Sequence, residues 1–216
     1  MKEYLAELIG TFALIFIGAG AILSNTGLIG IALAHGLVLM CMIYALGNVS
    51  GGHFNPAVTI GMLATKKIKL LKALMYIIFQ LLGAIIGAYF LYLIFGNNGL
   101  MLNLGTPALG KGILFWKGVF IETILTFFLV ITIFGAAVDK RASKGICGFA
   151  IGLVLTFDIL FGGSLTGASM NPARTFGPAL VSGFWLNHLV YWIGPILGSF
   201  IASLIYDKIF LEKNGN

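Results

Sequence analysis

The sequence predicts an all-α membrane protein, in which six transmembrane helices and two re-entrant half-helices form an inverted repeat of two three-helix halves. Three observations support this fold class. First, 59% of the 216 residues are hydrophobic and 9% are charged, with a mean hydropathy of +1.04, so a soluble domain would lack polar surface. Second, two long segments are almost free of charge. Third, the tripeptide Asn-Pro-Ala occurs twice, at residues 55–57 and 171–173.

The uncharged segments are long enough for paired membrane spans. Residues 8–65 contain no Asp, Glu, Lys or Arg, and residues 145–206 contain only Asp158 and Arg174. A span needs about 20 residues, so each segment holds two spans and a remainder of roughly 18 residues that carries one tripeptide. The predicted spans cover residues 4–24, 27–47, 72–95, 117–138, 145–164 and 187–207.

The distribution of charge orients these spans. Lys111 and Lys117 must lie on one side of the membrane, whereas ten other cations can share the opposite side. These ten are Lys2, Lys66, Lys67, Lys69, Lys72, Lys140, Arg141, Lys144, Lys208 and Lys213. Because cytoplasmic loops are rich in Lys and Arg, we predict both termini in the cytoplasm. The net charge of +6 reflects this topology, and no nucleic-acid partner is predicted.

The remainders between the spans are predicted to be re-entrant. Residues 48–65 would begin and end in the cytoplasm and residues 165–184 outside, so their half-helices would enter from opposite faces and meet near the midplane. Non-helical backbone at that depth is tolerated only where protein or a water-filled cavity surrounds it. A polar pathway through the membrane is therefore predicted.

The chain also contains an internal repeat. Glu7 recurs as Glu122 (122 − 7 = 115), and Gly36-Leu-Val-Leu recurs from Gly152 (152 − 36 = 116), the offset that the tripeptides share. Three spans per half is an odd number, so the two copies run in opposite directions. We predict one channel domain over residues 1–216, with repeat 1 at about 1–95, a loop at 96–116 and repeat 2 at about 117–210.

Each tripeptide has the residues of a helix start. The Asn side chain can cap free backbone N–H groups, and Pro at the first helical position loses no hydrogen bond. The residues predicted to open the two half-helices are Asn55, Pro56, Ala57, Asn171, Pro172 and Ala173.

The two half-helix starts can act together on a permeating molecule. Each N-terminus carries about +0.5 charge, so cations meet a positive barrier where the two ends face each other. Asn55 and Asn171 can both donate amide hydrogens to a water oxygen there, which disfavours a proton relay. The non-helical backbone before each tripeptide can offer carbonyl groups to a file of permeating molecules. These predicted pore-lining residues are Gly51, Gly52, His53, Gly167, Ala168 and Ser169.

The segments SGGHFNPAVT (50–59) and TGASMNPARTFGPA (166–179), with the opening AELIGTF and its echo IETILTF, resemble the major intrinsic proteins, the aquaporin family. The resemblance covers essentially the whole chain. It implies a passive channel with one pore per subunit, a homotetramer in membrane lipid, and water and small neutral solutes as permeants. It also implies that Glu7 and Glu122 accept hydrogen bonds from the strained loops before the tripeptides. The expected location is the cell membrane.

The resemblance further places a selectivity constriction at His35, Ile159, Ala168 and Arg174. A cation at membrane depth is costly unless it faces water or carbonyl groups, which independently marks Arg174 as a pathway residue. The four residues are similar to the filters of plant tonoplast intrinsic proteins, a water-channel type. Strict water channels usually have His where this chain has Ile159, so the resemblance implies water conduction and leaves the passage of ammonia open.

Three other functions would each require different features of this sequence. A glycerol channel of the family would carry Asp at position 175 and a basic residue at position 179, where this chain has Thr175 and Ala179. An ion-coupled transporter would use intramembrane carboxylates, although the symmetric placement of Glu7 and Glu122 favours a supporting role. A purely adhesive protein would tolerate substitution of both tripeptides. Tyr191 and Trp192, taken alone, are interpreted as packing residues.

Asp158 has no counterpart in the repeat, because the equivalent position holds Met42 (158 − 116 = 42). Two interpretations stay open: a neutral acid bonded to a neighbouring loop, or a residue that faces the outer vestibule. The sequence contains no Ser-His-Asp arrangement with a place for substrate, no phosphate-binding glycine loop and no metal-ligand cluster. Neither an enzyme nor a cofactor is therefore predicted.

Overall fold

The computed structural model describes residues 1–212, so Lys213, one of the predicted cytoplasmic cations, lies outside the described residues. Within this range, six helices are long and apolar enough to cross a membrane, and two shorter helices follow the second and fifth of them. In chain order, the eight are α1 (Lys2–Leu23), α2 (Gly27–Ser50), α3 (Pro56–Ala64), α4 (Leu70–Met101), α5 (Phe115–Ile133), α6 (Cys147–Thr166), α7 (Pro172–Ser182) and α8 (Val190–Ile205). The predicted fold class is confirmed.

Several helix ends differ from the predicted boundaries, and glycine explains three of the differences. Both α2 and α6 continue to the residue before a left-handed glycine, Gly51 (φ 95°) and Gly167 (φ 82°), which ends each helix. The predicted ends at 47 and 164 were therefore too early. In α4, the predicted end at residue 95 falls at a break, because Gly96 has non-helical angles (φ 53°, ψ −134°) before a last short turn.

The α5 and α8 helices each end in a π-helical turn, Phe134–Val138 and Tyr206–Phe210 respectively. Short 3-10 turns cover Asn103–Gly105 and Lys144–Ile146. These π-helical turns lengthen α5 and α8, so that both helices end beside the connector 139–146 between α5 and α6.

The helices pack in pairs that follow the repeat. The most extensive pairings join α1 to α4, α5 to α8 and α2 to α6. The α2 and α6 helices touch through the repeated glycines: a Cβ atom added to Gly152 would lie 2.6 Å from the carbonyl oxygen of Gly36. Side chains there would force the two spans apart.

The two half-helices pack across the repeat boundary. The α3 helix of the first half lies on α8, and the α7 helix of the second half lies on α4. Ser199 of α8 donates a hydrogen bond from Oγ to the carbonyl oxygen of Ala57 in α3 (2.6 Å). Each half therefore supplies the surface on which the other half's re-entrant helix rests.

A charged cluster fixes the connector between α5 and α6 to the end of the chain. Arg141 contacts the Asp139 carboxylate at 2.6 Å and Glu212 at 2.9 Å, and it also donates to the carbonyl oxygen of Phe210 (2.6 Å). The Tyr206 hydroxyl donates to Asp139 as well (3.1 Å). The hydrogen bonds from Arg141 hold the pKa of the Asp139 carboxyl well below its usual range.

We expect Asp139→Asn to lower the thermal unfolding temperature at neutral pH. A carboxyl whose folded-state pKa is depressed stabilises the fold above its unfolded pKa of about 3.9 and loses that contribution as the pH falls toward the folded value. The difference in unfolding temperature between the variant and the parent protein should therefore become smaller below about pH 4. Thermal unfolding in detergent between pH 3 and pH 7 measures it. Arg141→Gln should reproduce the effect, and a gap independent of pH would contradict it.

Candidate functional site

The loop between α2 and α3 is held by one buried carboxylate, that of Glu7 in α1. Its Oε1 accepts hydrogen bonds from Ser50 Oγ (2.7 Å) and from the backbone N–H of His53 (3.0 Å). Its Oε2 accepts from the backbone N–H of Phe54 and from Gln80 Nε2, both at 2.7 Å. Glu7 is fully buried, so these four donors replace the water that an ionised carboxylate needs.

The loop between α6 and α7 repeats the arrangement around Glu122 of α5. Oε1 accepts from Thr166 Oγ1 (2.7 Å) and the N–H of Ser169 (3.0 Å), and Oε2 accepts from the N–H of Met170 (2.7 Å). The donors occupy the positions equivalent to Ser50, His53 and Phe54, each offset by 116. Phe54 and Met170 have positive φ angles, 47° and 52°, so the carboxylates hold loops in a conformation that L-residues rarely adopt.

Two tyrosines hydrogen-bond the same loops. The interpretation of Tyr191 as a packing residue was therefore incomplete. Tyr76 of α4 donates to the carbonyl oxygen of Ser50 (2.7 Å), and Tyr191 of α8 donates to that of Thr166 (2.8 Å). Their offset of 115 (191 − 76) is a repeat signal that could have identified both. Gln80, which bonds Glu7, was also missed, although a buried amide in an apolar span is itself a signal.

The two tripeptide asparagines contact each other's loops. Each side-chain oxygen caps its own half-helix, with Asn55 Oδ1 accepting from the N–H of Ala57 (2.8 Å) and Asn171 Oδ1 from that of Ala173 (3.0 Å). Each amide nitrogen crosses to the other repeat. Asn55 Nδ2 donates to the carbonyl oxygen of Met170 (2.8 Å), and Asn171 Nδ2 donates to that of Phe54 (2.9 Å). The half-helix starts therefore meet, as the predicted topology requires.

Two cavities approach this meeting point. The inner cavity, of about 570 Å³, opens beside the connector residues Asp139 and Lys140 and reaches both tripeptide asparagines. The outer cavity, of about 240 Å³, is lined by Gly105, Thr106 and Pro107 of the loop between α4 and α5. Arg174 lines both cavities. The two spaces and the residue between them trace a path through the helix bundle.

The predicted filter residues lie at this junction. His35 and Ala168 line the inner cavity, Ile159 lines the outer one, and all four side chains are at least 96% buried. Arg174 Nη1 donates to the carbonyl oxygen of Gly105 (2.9 Å), and His35 Nδ1 lies 2.8 Å from the carbonyl oxygen of Ile31. Within residues 1–212, Arg174 Nε and His35 Nε2 are buried without a hydrogen-bond partner. Both nitrogen atoms can therefore form a hydrogen bond with a small molecule that enters the cavities.

The predicted carbonyl-lining residues divide between the cavities. Gly51, Gly52, His53, Ala168 and Ser169 line the inner cavity, and Gly167 lines the outer one. Hydrogen bonds fix two of these side chains to their own half-helices, since His53 Nδ1 lies 3.0 Å from Thr59 Oγ1 and Ser169 Oγ lies 2.6 Å from Thr175 Oγ1.

Asp158 is buried away from the two cavities described above. Its side chain is 1% exposed, Oδ2 has no hydrogen-bond partner within the described range, and the residue is not among those that line the inner or outer cavity. Among residues 1–212, Asp158 thus makes no hydrogen bond to a neighbouring loop through Oδ2 and lines neither of these two cavities.

Comparisons with known proteins agree with this geometry. The family model of the major intrinsic proteins, described as "Major intrinsic protein", matches residues 1–206. Aquaporin TIP4-4 of Zea mays is 41% identical over 229 residues, covering 100% of this chain and 89% of the relative. Probable aquaporin TIP3-2 of Arabidopsis thaliana is 43% identical over 231 residues, covering 99% and 85%.

A relative from an animal and one solved structure also match nearly all of this chain. Aquaporin-4 of Mus musculus is 40% identical over 218 residues, covering 97% of this chain and 67% of the relative. The solved structure of the aquaglyceroporin from Plasmodium falciparum superposes with a TM-score of 0.83 at 28% identity, covering 96% of both chains. The paired half-helices, the two supporting carboxylates and these full-length matches lead to one conclusion: the chain is an integral membrane protein of the major intrinsic protein (aquaporin) family, a channel and not an enzyme.

Proposed function

We propose that this channel conducts water passively and excludes protons and ions, and that ammonia and other small neutral solutes can also pass. The observation that carries the proposal is the reciprocal bonding of Asn55 and Asn171 beside the path through the bundle. An amide NH₂ group has two hydrogens. One hydrogen of each asparagine is used across the repeat, so the other can donate to a permeating oxygen atom.

Proton exclusion follows from this donor arrangement. A water that accepts hydrogen bonds from both asparagines directs its own hydrogens toward the two exits, which interrupts a proton relay. The N-termini of α3 and α7 add about +0.5 charge each at the same depth. Both effects oppose the passage of a hydrated proton or a metal cation.

We propose His35, Ile159, Ala168 and Arg174 as the selectivity filter. Nε2 of His35 and Nε of Arg174 have no hydrogen-bond partner in the described part of the chain and can hydrogen-bond a permeant, whereas Ile159 and Ala168 provide apolar walls. Arg174 adds a fixed positive charge that repels cations. A filter with an Ile wall lacks one donor, which supports passage of ammonia as well as water.

A glycerol channel is the second candidate, because the solved structure named above is titled an aquaglyceroporin. Thr175 argues against it in this chain, since its hydroxyl bonds Ser169 as Thr59 bonds His53 in the other half. The position is thus used to hold the loop. An ion-coupled transporter is disfavoured, because seven donors already surround Glu7 and Glu122.

Water flux across the membrane of proteoliposomes tests the proposal. Vesicles with purified protein should shrink faster than empty vesicles under an impermeant osmolyte, with a low activation energy, in stopped-flow light scattering. Glycerol and ammonia gradients then separate the candidates. Shrinkage no faster than that of empty vesicles, from protein shown to be folded, would contradict an open water pore.

Arg174→Val tests the filter in the same vesicles. We expect water flux to persist and cation leakage to rise by at least about tenfold, the factor that corresponds to 1.4 kcal/mol of lost barrier. Lys140→Val is the matched control, since it removes one positive charge at the exposed mouth of the inner cavity. Equal leakage from the two variants would contradict a special role for Arg174.

The proposed assembly is a homotetramer with both termini in the cytoplasm. The cations of the 66–72 segment and the 139–146 connector support this orientation. Cross-linking in native membranes and labelling of terminal tags from either side test the two statements. Location in the cell membrane stays a prediction. The plant relatives are named TIP, for tonoplast intrinsic protein, and these names do not support that location.

A further inference from the structure

The imidazole ring of His35 rests directly on the backbone of α1. Gly18 is buried, and a Cβ atom added there would lie 2.5 Å from His35 Cδ2 and Nε2 and 2.8 Å from Cε1. Ordinary contacts between non-bonded heavy atoms begin at about 3.5 Å. The ring therefore occupies the space in which a side chain at position 18 would stand.

The ring has little freedom to retreat from such a side chain. His35 Nδ1 lies 2.8 Å from the carbonyl oxygen of Ile31, one turn earlier in α2, and the residue is 3% exposed. The open space beside it is the inner cavity, which His35 lines. A ring displaced from Gly18 must move toward that cavity unless α1 and α2 separate.

The other half of the repeat supports the pairing of Gly18 with His35. The equivalent of Gly18 is Ile133 (133 − 115 = 18), and the equivalent of His35 is Ile151 (151 − 116 = 35). Both isoleucines are buried and line the inner cavity. Where no imidazole is present, the position that matches Gly18 thus carries a full aliphatic side chain.

We propose that Gly18 is a specificity-determining position of the pore, which sets the width of the constriction by letting the His35 ring lie back against α1. This inference rests on the proposed function, because it assumes that His35 borders the permeation path. Gly18 itself offers no group to the permeant, so it acts through the position of the imidazole.

Gly18→Ala provides the first test. The ring should move by about 1 Å, the difference between an ordinary contact and the available 2.5 Å. We expect unit water permeability in proteoliposomes to fall about tenfold, equivalent to 1.4 kcal/mol. The activation energy of water flux should rise after subtraction of the empty-vesicle rate. That energy does not depend on the number of channels, so poor folding or reconstitution cannot imitate the effect.

Two further variants isolate the contact. Gly20→Ala is the matched control, because a Cβ there would meet only the flexible end of Leu91 at 3.3 Å, and we expect an unchanged activation energy. In the His35→Ala background, Gly18→Ala should no longer raise the activation energy. A rise that persists without the imidazole, or a loss of flux with unchanged activation energy in the Gly18→Ala variant, would overturn the inference.

Thermal unfolding in detergent decides the case in which Gly18→Ala folds poorly. We expect Gly18→Ala to lower the unfolding temperature of the parent protein and to leave unchanged or raise that of His35→Ala, since it then fills vacated space. Equal destabilisation in both backgrounds would overturn the inference. If His35→Ala alone changes neither unit permeability nor activation energy, the proposed filter fails instead, which is a separate result.

Discussion

Glu7→Leu is expected to leave little or no folded protein. The substitution preserves the approximate size of the side chain but removes the acceptor for four donors, those of Ser50, His53, Phe54 and Gln80. Each buried donor left unpaired costs about 1–3 kcal/mol, whereas burial of the leucine returns only about 2 kcal/mol. The balance is comparable with the entire stability of a typical domain, about 5–15 kcal/mol.

The measurement is thermal unfolding of detergent-solubilised protein, monitored by size-exclusion chromatography after heating. Glu122→Leu should lower the unfolding temperature nearly as much, since it leaves three donors unpaired. Glu3→Leu is the matched control on the same helix, because its carboxylate is partly exposed and pairs only with Lys72 at 2.8 Å. Such surface pairs contribute about 0–1 kcal/mol. Similar unfolding temperatures for Glu7→Leu and Glu3→Leu would contradict the supporting role of the buried carboxylate.

Asn171→Asp should make the pore leak cations. An aspartate can still cap α7, but it places an oxygen atom opposite the Phe54 carbonyl oxygen, to which Asn171 now donates at 2.9 Å. Its charge of −1 also offsets the combined charge of about +1 at the two half-helix N-termini. We expect cation leakage to rise about a hundredfold, which corresponds to about 2.7 kcal/mol of barrier, and water flux to fall.

Two controls separate charge from structure. Asn171→Ser keeps a capping oxygen and adds no charge, so potassium leakage should stay low while stability falls by about 1 kcal/mol for the lost cross-repeat bond. Asn48→Asp makes the same substitution elsewhere along the inner cavity and should leave ion exclusion intact. Dye-reported proton and potassium fluxes in proteoliposomes provide the readout. Potassium leakage in the serine variant equal to that in the aspartate variant would rule out the electrostatic explanation.

The fold followed from the sequence wherever hydropathy and charge decided it. Six apolar segments and the flanking cations were sufficient for the span count, and the 115–116 offset was sufficient for the repeat. The ends of α2 and α6 were misjudged by two or three residues (50 − 47 and 166 − 164). Hydropathy stays high through the last helical turn, and only the conformation of the next glycine stops the helix.

Less of the candidate site than of the fold could be predicted from the sequence. The tripeptides and both glutamates carry local or repeated signals, so their place could be inferred. The repeat and a polar residue in an apolar span could mark Tyr76 and Gln80, but their partners Ser50 and Glu7 lie 26 and 73 positions away, and no pattern along the chain identifies those partners. Oδ2 of Asp158 has no hydrogen-bond partner among residues 1–212, and the sequence does not predict this either, because Met42 shows only that the repeat does not require an acid there.

The exchange of half-helices between the repeats has a consequence for biosynthesis. A ribosome delivers α1 to α4 before α7 and α8 exist, yet Asn55 bonds the Met170 carbonyl and the Ala57 carbonyl accepts from Ser199. The newly inserted first half therefore lacks the second-half partners of its re-entrant segment, and only its three long helices, α1, α2 and α4, can enter the bilayer before the chain is complete. Both pore loops must mature together, after translation has released the last helix.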